Sequence, residues 1–254
     1  MLIALDIGNT SINIGYFTEI GLFVQKIATS PLLSPSQYGI LITRFMEEKN
    51  IDKKPEGSII SSVVSDCTMV FMKVLKMLTS SEPLVVRWTL KTGLEFSIPN
   101  PEELGSDRIA NAVAAYESYQ SPVAAVDFGT ASTVTVVNRD AHYIGGVILP
   151  GIRLMNTSLA KGTSRLQEAL LAPPESALGI DTAHCIQSGL FYGTAGAVER
   201  VLCEIEKEHG FALKVVVTGG FGELLSGFLQ RKHDVRPHLT LEGLKLIYMR
   251  NTDA

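Results

Sequence analysis

The sequence predicts an α/β protein made of two copies of one mixed-sheet domain with a cleft between them. Three observations carry that expectation. Asp6-Ile7-Gly8-Asn9-Thr10 and Asp127-Phe128-Gly129-Thr130 repeat one design about half a chain apart: an acid and a glycine at the tip between two β-rich runs. Strand patterns followed by helical patterns occur once, then again in the same order. The 254 residues, 46% of them hydrophobic, supply enough apolar surface for two modest cores. The expected units are residues 1–118 and 119–254.

The elements follow in order. β-branched and aromatic residues cluster at 2–6, 12–17, 22–27 and 58–64, which predicts strands. Helical spacing covers about 35–49 and 66–79. Residues 81–104 hold Pro83, Pro99 and Pro101 and no long periodic run, so they read as loop. A helix opens at Ser106, with Ile109, Ala112, Val113 and Tyr116 spaced for one face, and Ser121-Pro122 breaks the pattern. The second half restates the first, with strands at 123–127, 132–138 and 142–148 and a helix start near Pro150-Gly151. A long helix is expected from Thr182 to His209, a buried strand at Lys214–Thr218, and helices near 221–231 and 241–249.

Composition excludes several function classes. Charged residues make up 19% of the chain and the net charge is −4, which leaves no electrostatic footprint for nucleic acid. No stretch approaches the roughly 18 apolar residues a membrane helix needs. The first run already carries an acid at position 6, unlike a signal peptide. Cys67, Cys185 and Cys203 are odd in number and lack Cys-x-x-Cys spacing, so they read as thiols in a reducing compartment. The expected location is cytoplasmic, with no nucleic-acid or membrane partner.

The tips carry the chemistry. Gly8 and Gly129 let backbone approach an anion, Asn9, Thr10 and Thr130 offer donors, and Asp6 and Asp127 can hold a cation. A duplicated tip suits a metal-bound polyphosphate. Val215 to Gly222 adds a strand ending in Gly219-Gly220, where a flat ring can lie against backbone; no G-x-x-x-x-G-K-[ST] loop is present. Gly105-Ser106-Asp107-Arg108 places a carboxylate in the first turn of a helix, where the dipole favours negative charge. Such a carboxylate suits a hydroxyl that loses its proton during phosphoryl transfer, and Arg108 offers a planar fork for a carboxylate or phosphate. Gly145 to Gly151 reads as a pocket wall or a plain turn. Thr182 either caps the long helix or offers its hydroxyl to a ligand. The five histidines show no metal-ligand spacing.

Several stretches together resemble the type III pantothenate kinases: LDIGNTSINIGYF, NPEELGSDRIANAVAAY, AAVDFGTASTVTVV, GGVILPGI, ALGIDTAHCIQSGLFYG, VVVTGGFGELL and LTLEGLKLIYMRN, in the family's order across the chain. The resemblance implies duplicated ribonuclease H-like domains of the actin-like ATPase class. It implies ATP-dependent phosphorylation of the 4′-hydroxyl of pantothenate, the first step toward coenzyme A. By the same resemblance, Asp6, Ile7, Gly8, Asn9, Thr10, Ser11, Ile12 and Asn13 form the first phosphate loop, with Asp6 near Mg²⁺, directly or through water. Asp107 is the catalytic base, and Gly105, Ser106, Asp107, Arg108 and Thr182 contact pantothenate. Gly129 and Thr130 serve ATP, Asp127 binds a monovalent cation (K⁺ or NH₄⁺), and the family forms homodimers. One departure is Ile98, where the family commonly has a tyrosine; a lost phenol donor costs about 0.5–1.5 kcal/mol. The rival expectations are a nucleotide or polyphosphate hydrolase, and an ATP-gated interaction protein, on the same scaffold.

Overall fold

The computed structural model describes residues 1–52 and 54–252. They form two compact units, Met1–Ala114 joined by the segment from Leu239 onward, and Ala115–His238. The expected units met at residue 118 and gave the second unit everything up to 254. The contacts instead divide the chain at 114/115 and return the last helix to the first unit.

Unit 1 contains β1 (Leu2–Ile7), β2 (Ser11–Thr18), β3 (Gly21–Ala28), α1 (Pro35–Glu48), β4 (Gly57–Ser62), α2 (Ser65–Thr79), and the two-residue strands β5 (Leu84–Val85) and β6 (Glu95–Phe96). The start of α3 (Ser106–Tyr119) and, from the far end of the chain, α7 (Leu239–Thr252) complete it. Its sheet runs β3-β2-β1-β4-β5, antiparallel through β1, β2 and β3 and parallel from β1 to β4 and β5. Strand alternation sorts the side chains into two layers. Ile3, Leu5, Ile7, Ile12, Ile14 and Tyr16 pack against Tyr38 and Ile42 of α1 and Phe71, Val74 and Leu75 of α2. Leu2, Ala4 and Ile59, on the opposite face, pack against Ile109, Ala110 and Val113 of α3 and Leu241, Leu244 and Ile247 of α7. That second layer is why α7 leaves the second unit: without it one face of the first sheet would stay open to water.

Local signals explain the helix boundaries. Ser34 caps α1 by accepting from the Gln37 N–H at 3.4 Å, Gln37 Oε1 accepts from the Ser34 N–H at 2.9 Å, and Pro35 occupies the first turn. The contact of α7 with α3 is close because Gly243 has no side chain; a Cβ there would collide with the Ala110 carbonyl. Thr240 Oγ1 donates to Asn111 Oδ1 at 2.8 Å, a buried link between the same two helices.

Unit 2 repeats the plan with β7 (Val123–Phe128), β8 (Ala131–Val137), β9 (His142–Pro150), α4 (Ile152–Gly162), α5 (Thr182–His209), β10 (Lys214–Thr218), α6 (Gly222–Ser226) and β11 (Asp234–Val235). Its strands run β9-β8-β7-β10-β11, with the same alternation of antiparallel and parallel pairs as in unit 1. Ala124, Val126 and Phe128 of β7 pack against Ile152 of α4, Phe191 and Val198 of α5 and Leu225 of α6. The predicted helix near 221–231 is the five-residue α6. The predicted loop 81–104 holds β5, β6 and a 3₁₀ turn at Pro101–Glu103. Cys67, Cys185 and Cys203 are all free thiols, and among the described residues no helix is long and apolar enough to cross a membrane.

Candidate active site

In unit 1 the strand register aligns three polar residues in one row. Asp6 of β1 pairs with Asn13 of β2 on one side and with Ser61 of β4 on the other. By parity all three share the face of Leu2, Ala4 and Ile59, the layer covered by α3 and α7. The row is therefore where that apolar layer gives way to polar groups, at the C-terminal ends of β1 and β4. Asn13 Nδ2 donates to Asp6 Oδ2 and Ser61 Oγ to Asp6 Oδ1, both at 3.4 Å. The network continues into α3: Ser61 Oγ lies 3.0 Å from Ser106 Oγ, which accepts from the Ser62 N–H at 2.8 Å.

The tip beyond Asp6 is held from below. Gly8 N–H donates to the Ser11 carbonyl at 3.0 Å, closing the turn. Thr29, buried just past β3, donates its hydroxyl to the Gly8 carbonyl at 2.7 Å and its N–H to the Thr10 carbonyl at 3.2 Å. With these carbonyls turned inward, the exposed side chains of Asn9 and Thr10 remain on the outer side of the turn.

At the start of α3 the Arg108 N–H donates to Asp107 Oδ1 at 2.8 Å, so the carboxylate folds back over the first turn. Gly105 leaves room for it, since a Cβ there would crowd Asp107 Oδ1. Asp107 and Arg108 are half-buried, whereas Ser106 is buried with its hydroxyl engaged by Ser61 and Ser62.

Unit 2 builds the equivalent row from Thr133, Asp127 and Thr218, in register across β8, β7 and β10. Gly219, at φ +93°, follows that row, and a Cβ on it would collide with Asp127 Oδ1 and the Phe128 backbone. The glycine therefore has an internal reason to be there, besides any room it leaves for a ligand. The Gly129-Thr130 tip closes through Gly129 N–H to the Ala131 carbonyl at 3.1 Å, and Gly151 N–H donates to the Thr130 carbonyl at 3.1 Å. This docks the tip on the start of α4. Thr182 stands exposed in the first turn of α5; Asp181 caps that helix, accepting from the His184 N–H at 2.9 Å. That bond, with His184 beside it, holds the Asp181 carboxyl below its usual range.

Unit 1 thus brings Asp6, the 8–13 turn and Gly105–Arg108 onto neighbouring ends of β1, β4 and α3, while Asp127, Gly129, Thr130 and Thr182 belong to unit 2. Sequence reasoning missed Ser61, Ser62 and Thr29. The signal for the serines was a polar pair ending an otherwise apolar strand; Thr29 gave none. Among the described residues no group of three or more His, Cys, Asp or Glu could hold a metal, so a cation at either aspartate would take its remaining ligands from other oxygens.

Comparison with known proteins shows the family and the fold. A family model described as type III pantothenate kinase matches residues 2–204. A type III pantothenate kinase from Roseiflexus sp. (strain RS-1) is 38% identical over 253 residues, covering 99% of each chain. Among solved structures, a candidate Baf family transcriptional activator from Campylobacter jejuni aligns with a TM-score of 0.60 at 19% identity, over 99% of this chain and 100% of that one. The activator of the 2-hydroxyisocaproyl-CoA dehydratase from Clostridium difficile, with ADPNP bound, aligns with a TM-score of 0.53 at 11% identity, over 99% and 94%. At such identities these two likenesses speak for the fold alone, and that fold is the duplicated ribonuclease H-like, actin-like class that the sequence predicts. Sequence likeness over nearly the whole length goes further, and the chain belongs to the type III pantothenate kinase family.

Proposed function

We propose that this chain transfers the γ-phosphoryl group of ATP to the 4′-hydroxyl of pantothenate, the first step toward coenzyme A. The observation that carries the reading is family membership over nearly the full length. The hydrogen-bonded run from Asp6 through Ser61 to Ser106 supports it, because it ties a carboxylate suited to a cation to the helix start that bears a second carboxylate.

In this reading the turn Asp6 to Asn13 and the tip Gly129-Thr130 hold the phosphates of ATP with backbone N–H groups and short polar side chains. Asp107 orients the pantothenate hydroxyl and accepts its proton as the hydroxyl oxygen bonds to the γ-phosphorus and the bond to ADP breaks. Gly105, Ser106, Arg108 and Thr182 contact pantothenate; Arg108 offers its planar fork to the substrate carboxylate. Since the Ser106 hydroxyl is engaged inside the protein, its backbone is what it offers. Asp6 suits Mg²⁺, which commonly takes one or two carboxylates plus phosphate oxygens and water. Mg²⁺ supplies charge neutralisation on the phosphates when bound. Asp127 holds K⁺ or NH₄⁺. The active form is a cytoplasmic homodimer.

The test is ADP release from purified protein with ATP, Mg²⁺ and K⁺, with and without pantothenate, beside Asp107→Asn. Pantothenate-dependent ADP that falls about 10²–10⁴-fold in the variant, with ATP still bound, is the expected outcome. ADP released regardless of pantothenate means a hydrolase, and bound ATP without turnover means an interaction protein.

A further inference from the structure

In unit 1 one hydrogen-bonded network runs from Asp6 through Ser61 to the start of α3. Ser61 Oγ donates to Asp6 Oδ1 at 3.4 Å. Ser61 Oγ also lies 3.0 Å from Ser106 Oγ, where either hydroxyl can donate, and Ser106 Oγ accepts from the Ser62 N–H at 2.8 Å. Ser106 Oγ can in turn donate to the Ser62 carbonyl, 3.2 Å away. Ser61 is 0% exposed, so it has no surface to offer a ligand and acts only through its neighbours.

We infer that Ser61 is a positioning residue for phosphoryl transfer: it holds the Asp6 carboxylate and the first turn of α3, which bears Asp107, in one frame. The inference rests on the kinase reading above. A buried hydroxyl linking two carboxylate-bearing elements controls their separation and angle, and reactions that depend on positioning are sensitive to displacements of about 1 Å. An alanine at 61 removes a hydroxyl that bonds to both Asp6 and Ser106, and leaves the backbone pairing of β1 with β4 untouched.

The experiment is steady-state kinetics on the full chain for wild type, Ser61→Ala, Ser61→Thr, Ser106→Ala and the double Ser61→Ala/Ser106→Ala variant. The folded fraction of each is measured by circular dichroism. The expected result is a kcat lowered about 10- to 100-fold in Ser61→Ala, with KM for ATP and pantothenate within about threefold of wild type. Threonine, which keeps the hydroxyl, restores kcat, and the double variant loses no more than the worse single one, because the two serines work as a unit. An active wild type with unchanged kcat in Ser61→Ala overturns the inference. So does a loss that merely tracks the folded fraction, or single losses that multiply in the double variant. Should threonine not fit at 61, the non-additivity with Ser106→Ala decides. Wild type that releases no pantothenate-dependent ADP overturns the kinase reading itself, before any variant is compared.

Discussion

Replacing Gly243 by alanine sets two effects of opposite sign against each other. Gly243 lies inside α7, where alanine is favoured over glycine by about 1 kcal/mol. The new Cβ, however, meets the backbone carbonyl of Ala110 in α3, and neither partner is a side chain that can rotate away. α7 must move off α3, loosening the layer of Leu241, Leu244 and Ile247 against Ile109 and Val113. Overpacking of this kind costs about 1–3 kcal/mol, and losing the Thr240–Asn111 hydrogen bond adds about 0.5–1.5 kcal/mol. The clash outweighs the propensity gain, and the expected net is a destabilisation of about 1–3 kcal/mol. In a chain of this size that lowers Tm by roughly 2–4 °C per kcal/mol. Gly196→Ala is the control: Gly196 lies exposed in α5 with no atom within 4 Å of the added methyl, so it should gain up to about 1 kcal/mol. Urea unfolding and calorimetry of both variants read the difference. A Gly243→Ala protein as stable as wild type would refute the close α3–α7 contact, and with it the placement of α7 in the first unit.

Three further outcomes are expected. Thr29→Val keeps the side-chain shape but removes the donor to the Gly8 carbonyl; at about 0.5–1.5 kcal/mol for that bond, the KM for ATP should rise roughly two- to tenfold with kcat less affected. An unchanged KM would mean the turn needs no such support. Replacing K⁺ by a large organic cation should raise the KM for ATP, and indifference in that assay would remove the role proposed for Asp127. Glu206 supplies a pH dependence: burial alone would raise its carboxyl, but the Arg231 guanidinium at 2.9 Å and the Leu213 N–H at 2.8 Å hold it below the ordinary value of 4.5. The folded state therefore binds fewer protons there than the unfolded state. The stabilisation is complete above 4.5 and disappears as pH falls through the lowered folded value. Urea midpoints measured from about pH 6 to about pH 3 should decline less steeply in Glu206→Gln than in wild type. Equal slopes would show that the ion pair contributes nothing.

Much of the fold was legible because it is written locally. Continuous apolar runs mark β1 and β7, alternation marks β2 and β8, and the acid-and-glycine tips announce their duplication before any pairing is known. β5, β6 and β11 span two residues each, too few for a period of two to appear. α6 stops at Ser226, where the sequence pattern alone allowed the helix to run on. The destination of α7 depends on a contact between residues over 100 positions apart, and nothing in its own pattern distinguishes the first sheet from the second. The site divides in the same way. Asp6, Asp107 and Asp127 are chemical types in suggestive turns, visible in one dimension. Ser61 acquires meaning only once the β1–β4 register puts it opposite Asp6, and Thr29 only once the chain after β3 folds back beneath the Gly8 turn.

The return of α7 to the first sheet also bears on the order in which the protein is made. The ribosome delivers the strands of that sheet early, together with α1 and α2, which cover one side of it. On the other side the start of α3 is also made early, but α7, the rest of that cover, is not synthesised until about 125 residues after Ala114, a delay on the order of 10 s at ordinary elongation rates. During that interval the nascent chain carries Leu2, Ala4 and Ile59 on a face that only α3 covers, while the second unit can fold without waiting. The domain begun first is thus the one finished last, and a chain stalled before Leu239 leaves it unfinished.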